Sequence, residues 1–136
     1  MSKVYEAVVT SQGGREGHVK SSDGILDIRV SLPKSMGGND QHTNPEQLFA
    51  AGYAACYENA LIYLGRAKKL DTTGSQVTAK VGLVMTNGEA DLTAHLFVTL
   101  PNVEKFVAQK LIDEAHKTCP YSKATKGNIE VKIDLA

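Results

Sequence analysis

Asn44-Pro45-Glu46-Gln47-Leu48-Phe49-Ala50-Ala51-Gly52-Tyr53-Ala54-Ala55-Cys56 is the stretch on which the fold turns. Asn is a favoured N-cap, Pro suits the first helical position because the N–H it lacks would be unpaired there, and Gln stands three residues after the cap, where a capping box wants it. The run therefore opens a helix, predicted to reach Leu64 or beyond. Leu48 to Cys56 is apolar or small on every side, the pattern of a helix packed all round. It is expected at the buried centre of the fold, with Arg66, Lys68 and Lys69 at the C-terminal end, where the helix dipole favours positive charge.

Upstream, from Val4 to Leu32, the pattern is short and strand-like. It breaks at Gly13-Gly14 and at Ser22-Asp23-Gly24, and Leu26, Ile28, Val30 and Leu32 alternate onto one face, which predicts three antiparallel strands. Pro33 to Thr43 has no periodicity and reads as a loop. Downstream, Val77 to Met85 and Leu92 to Leu100 alternate on either side of Asn87-Gly88, a strong hairpin signal. Val103, Val107, Ala108, Leu111, Ile112 and Ala115 mark an amphipathic helix that Pro120 must end, and Ile129 to Leu135 forms a last strand. The sum is an α+β fold, expected to form a single domain over residues 1–136.

Composition narrows the function classes. With 15 basic and 15 acidic residues there is no net field to draw the chain to nucleic acid or an anionic membrane. Met1 to Glu6 alternates polar and apolar residues and reads as a first strand, without the apolar core of a signal peptide or the length of a membrane span, which predicts a cytoplasmic chain. In a reducing compartment two cysteines far apart in sequence are not expected to form a permanent bridge; if they pair, they pair transiently. His18, His42, His95 and His116 lack metal-motif spacing, the cysteines form no CxxC, and there is neither a phosphate-binding glycine loop nor a GxSxG. No metal and no resident cofactor are expected.

Four residues could carry chemistry, and each has a plainer role. Cys56 sits in the most apolar helix, where a free cysteine commonly packs as a small hydrophobe. Cys119 stands at a helix end before Pro120, a boundary where packing explains it less well. A reactive Cys56 would need a nearby cation, because its helix's dipole fades within the first turn and Cys56 lies about a dozen residues from the cap. Of three arginines, Arg29 falls on the outward phase of a strand and Arg66 at a helix end, so Arg15 in Gly13-Gly14-Arg15-Glu16-Gly17 is left, as a solvated turn residue or as that cation. Glu46 either compensates the helix dipole or partners such an arginine. On one straight helix Glu46 and Cys56, ten positions apart, are separated by about 15 Å along the axis and about 80° around it. A site using both needs an interrupted helix or a second chain.

Thr43 to Cys56, the segment Cys119-Pro120-Tyr121-Ser122-Lys123-Ala124-Thr125-Lys126-Gly127-Asn128, and Gly13-Gly14-Arg15 together resemble the organic hydroperoxide resistance (Ohr) branch of the OsmC-like family. The likeness spans nearly the whole chain. It implies an OsmC-like fold, with antiparallel sheets around a long central helix bearing the reactive cysteine, in an intertwined homodimer with two active sites at the interface. Carried over by position, Cys56 matches the peroxidatic cysteine, Cys119 the resolving cysteine, Arg15 the arginine that holds the thiolate, and Glu46 the carboxylate that orients it. Tyr57 departs from the Phe common in this family; its hydroxyl is expected to tune the pocket's polarity or point to solvent.

The activity so implied is a thiol peroxidase that protects against oxidative stress by reducing alkyl or lipid hydroperoxides to alcohols. A sulfenic acid on Cys56 would condense with Cys119 to a redox-active disulfide, and an external dithiol, a lipoyl group on a protein partner, would reset it. Phe49 and Tyr53 are expected to line an apolar pocket around Cys56. The principal alternative is a redox-sensing module that undergoes the same oxidation without turnover. A cysteine acyl-transferase or thioesterase would want a histidine base beside Cys56, and no motif supplies one.

Overall fold

Three short strands, β1 (Val9–Gln12), β2 (His18–Ser21) and β3 (Asp27–Arg29), form the antiparallel sheet that the N-terminal alternation predicts. The computed structural model describes all 136 residues, and the first eight lie outside the strands, so the strand expected at Met1 to Glu6 is not formed and the first begins at Val9. Gly13 and Gly14, at φ +85° and +59°, turn the chain out of β1 into a single 3-10 turn, Gly14–Glu16. At Gly17 a Cβ would fall 1.8 Å from the Gln12 carbonyl oxygen, so only glycine lets the chain re-enter so close to β1. These elements belong to the first of two compact units, Met1–Leu48 and Phe49–Ala136.

Helix α1 (Pro45–Ala67) begins where the sequence places it. The Gln47 N–H donates to Asn44 Oδ1 at 2.8 Å, and the Thr43 hydroxyl donates to Gln47 Oε1 at 2.7 Å. The helix is unbroken over its length, so an interrupted helix is not how this chain is built. Its buried positions, Tyr53, Tyr57, Ala60, Leu61 and Gly65, form one stripe. Packing all round is not achieved within the chain: Ala51 and Ala55 are exposed, and Gly52, Ala54 and Cys56 are half-buried. One chain covers only one side of this helix.

In the second unit β4 (Gln76–Thr86) and β5 (Glu89–Thr99) pair along their whole lengths. Asn87 and Gly88 both take positive φ, as a two-residue type I′ turn requires. Helix α2 (Lys105–Thr118) is capped by Glu104, whose carboxylate accepts from the N–H groups of Phe106 and Val107. Pro120 ends α2 and, as a first helical residue, opens a further helix, α3 (Pro120–Thr125), absent from the sequence reading. Strand β6 (Val131–Leu135) then pairs with β5 in parallel, Ala94 opposite Val131 and Val98 opposite Leu135. The expectation of antiparallel sheets is corrected here: with α2 and α3 as a crossover, the chain returns in the direction it left. The core of this unit gathers Tyr53, Tyr57, Leu61, Leu96, Val98, Leu111, Ile112 and Cys119. No helix is long and apolar enough to cross a membrane.

Candidate active site

Arg15 and Glu46 meet across 31 positions of sequence. The guanidinium donates through both terminal nitrogens, Nη1 to Oε2 at 2.8 Å and Nη2 to Oε1 at 2.6 Å, a bidentate fork. The glycine-bounded 3-10 turn presents the arginine and the first turn of α1 presents the glutamate, which keeps only 15% of its side-chain exposure against 37% for Arg15. Each stabilises the other's charge: hydrogen bonding to Glu46 raises Arg15 above its ordinary pKa, and the same contact holds Glu46 below the usual carboxylate value. This pair is the carboxylate-held arginine that the sequence offered as one of two readings for each residue.

The cysteines meet in the other unit. Cys56 is half-buried on α1, Cys119 is fully buried at the joint of α2 and α3, and their sulfurs lie 3.8 Å apart although 63 positions separate them. Both are free thiols. A disulfide needs about 2.05 Å between sulfurs, so a modest approach would join them. Burial pushes the Cys56 thiol up, and the neighbouring Cys119 adds to that; the backbone N–H of Tyr121 pulls the other way. The groups that surround Cys56 in this unit therefore favour a neutral thiol, so a reactive Cys56 would need an added cation.

Several neighbours were not singled out by the sequence in the roles they hold. A Cβ at Gly52 would stand 2.6 Å from the Tyr121 hydroxyl, so Gly52, one turn before Cys56, is the slot in α1 across which the Tyr121 ring lies. Phe49, Tyr53 and Tyr121 form an aromatic cluster with ring centroids 5.7 to 6.4 Å apart. Phe49 stays half-buried, as a pocket wall can be, whereas Tyr53 is fully buried and its hydroxyl bonds Ser122 Oγ at 2.7 Å, which removes it from an open wall. Tyr57 does neither thing expected of it: fully buried, it donates to the Ile112 carbonyl oxygen of α2 at 2.7 Å.

Among the histidines, His18 and His95 pair with Asp27 and Asp134 at exposed positions, and His116 Nδ1 lies 2.8 Å from Ser122 Oγ. No three His, Cys, Asp or Glu side chains come together as a metal would require. A signal for Ser122 was present in the Cys-Pro-Tyr-Ser segment, but its two partners come from other elements and carry no local mark.

Residues 37–134 match the family described as OsmC-like protein. The organic hydroperoxide resistance protein of Xanthomonas axonopodis pv. citri is 43% identical over 98% of this chain and 95% of its own length. OhrB of Bacillus subtilis, an organic hydroperoxide resistance protein, is 40% identical over 97% and 98%. Among solved structures, that of an organic hydroperoxide resistance protein from Elizabethkingia anophelis, with thiocyanate bound, superposes with a TM-score of 0.94 at 47% identity, covering 100% of this chain and 99% of its own. A Vibrio cholerae O1 relative, holding captopril in one of its active sites, superposes with a TM-score of 0.95 at 40% identity over 99% and 94%.

Proposed function

The chain belongs to the OsmC-like family, within its organic hydroperoxide resistance branch, and from that premise we propose that it is a two-cysteine peroxidase reducing organic hydroperoxides to alcohols in the cytoplasm. The observation that carries the proposal is the 3.8 Å between Cys56 and Cys119, two free thiols brought together in a largely apolar setting.

The Cys56 thiolate attacks the outer peroxide oxygen: an S–O bond forms, the O–O bond breaks, and the departing alkoxide takes a proton to leave as alcohol. Cys56 is then a sulfenic acid. Cys119 attacks its sulfur, the S–S bond forms, and hydroxide leaves with the thiol proton as water. An external dithiol restores both thiols by two exchange steps and is itself oxidised to a disulfide. A lipoyl group on a protein partner suits this role, since its paired thiols complete both exchanges on one molecule.

Cys56 in its own unit is held toward the neutral thiol, so thiolate formation falls to Arg15, kept charged and oriented by Glu46. We assign the pair to a composite site in a homodimer, with Arg15 and Glu46 of one protomer serving Cys56 of its partner. The unbroken α1 and its exposed alanine face favour that arrangement, as does the Vibrio cholerae relative's having more than one active site. A redox sensor would undergo the same oxidation without turnover. Hydroperoxide consumption with excess dihydrolipoamide, compared with reduced thioredoxin and glutathione, tests the reading: many turnovers with the lipoyl dithiol are expected, and a single stoichiometric event with every reductant would favour the sensor.

A further inference from the structure

Cys119 closes α2, with its N–H on the Ala115 carbonyl, and opens α3, and a six-residue helix does not hold itself. Its buried polar tie is Ser122, in the first turn three residues after Cys119 and 2% exposed. Two elements grip it: the Tyr53 hydroxyl from α1 at 2.7 Å and His116 Nδ1 from α2 at 2.8 Å. Only Pro120 and Tyr121 lie between the gripped serine and Cys119.

We propose that Tyr53, Ser122 and His116 form a latch that holds Cys119 against Cys56, making the three positioning residues for disulfide formation. The inference rests on the two-cysteine reading above and concerns only its second step.

One arrangement of protons satisfies the whole chain. Tyr53 donates to Ser122, and Ser122 donates to Nδ1 of a neutral imidazole whose proton is on Nε2. Protonating the ring turns Nδ1 into a donor: Ser122 Oγ then accepts from both neighbours, and the buried serine proton loses the acceptor it had on Nδ1. Burial holds His116 below its usual value, working against Asp113, the charged group that acts on the ring from its own helix. From α1 and α3 the partners are hydroxyls. The latch is accordingly closed with the ring neutral and weakened in acid.

The sulfenic acid on Cys56 has two fates, and their ratio reads the latch. Condensation with Cys119 forms the S–S bond and releases water; a second hydroperoxide instead transfers an oxygen, giving sulfinic acid and alcohol. Loosening α3 slows the first fate and leaves the second alone.

The test oxidises the reduced full-length protein with excess tert-butyl hydroperoxide, without reductant, and measures the disulfide and sulfinic forms by intact mass. His116→Ala and Ser122→Ala should raise the sulfinic-to-disulfide ratio about fivefold, the change that losing one hydrogen bond of ordinary net strength makes in an equilibrium. His116→Asn, which offers an amide oxygen near the position of Nδ1 but does not titrate, should restore the wild-type ratio at neutral pH and abolish its rise in acid. A merely structural role predicts neither the rescue nor the flattened pH profile. If Ser122→Ala fails to fold, the two His116 variants, at a half-buried site, carry the same test. Wild type that forms a disulfide while the alanine variants partition as it does would overturn the latch alone. Wild type that forms none would overturn the two-cysteine reading and the latch together.

Discussion

The two pairs that matter most here sit in opposite environments. Arg15 and Glu46 form a partly exposed ion pair in which each group pushes the other toward its charged form. Cys56 and Cys119 lie among apolar side chains, where burial and mutual proximity push Cys56 toward its neutral form. Under the proposed function the two environments divide the work. An apolar setting suits an alkyl peroxide but disfavours the thiolate that would attack it, and an arginine supplied by the partner protomer would offset that penalty without adding polar groups to the core.

Removing the charge should break the contrast most severely. Arg15→Ala is expected to raise the Cys56 pKa and slow peroxide reduction about 10²-fold at neutral pH, the scale typical of losing one charge-stabilising donor at a reaction centre. Stopped-flow rates against pH would show it, with part of the loss recovered as pH rises and the thiolate forms unaided. An unchanged rate would place the activating charge on another residue.

Mixing sharpens the contrast by asking which chain supplies each half. Inactive Cys56→Ser chains and Arg15→Ala chains, combined under conditions that exchange subunits, should regain about a quarter of wild-type sites: half the dimers are hybrid and half of each hybrid's sites are complete. No recovery despite proven exchange would mean that both halves come from one chain.

Much of this architecture is legible along the chain and some is not. The start of α1, the Asn87-Gly88 hairpin and the outward Arg29 follow from local rules, because caps, turns and alternation are decided within a few residues. Arg15 and Glu46 were both legible as candidates: one stands in a glycine turn without another task, the other in a helix's first turn. The closeness of the cysteines came from family resemblance, since nothing in a spacing of 63 positions announces it. Helix α3, the parallel β6 and the tie between Tyr53 and Ser122 depend on how distant elements pack. Tyr57 teaches the same lesson, as its hydroxyl partner is 55 positions away.

Acid should weaken the charged region in a defined direction. Glu46 has its folded pKa depressed, chiefly by hydrogen bonding to Arg15, so its contribution to stability is complete above its unfolded pKa and lost as pH falls through the folded value. Thermal melts of wild type and Glu46→Gln should therefore differ at neutral pH and converge as pH falls below the ordinary carboxylate range. A gap that widens in acid would contradict the pairing.

The smallest effect is expected in the core. Tyr57→Phe removes one hydrogen bond to the Ile112 carbonyl and should cost about 1 kcal/mol in urea denaturation, with peroxidase turnover preserved. A large loss of activity at unchanged stability would put that hydroxyl in the chemistry after all.

The central claim, that Cys56 and Cys119 act as one redox pair, is tested most directly by treating the reduced protein with one equivalent of an alkyl hydroperoxide and following thiols and linkage by mass spectrometry. The account predicts that both thiols disappear together into a single intrachain Cys56–Cys119 disulfide, and that Cys119→Ser instead accumulates sulfenic or over-oxidised Cys56. Survival of both thiols in the wild-type protein would contradict it.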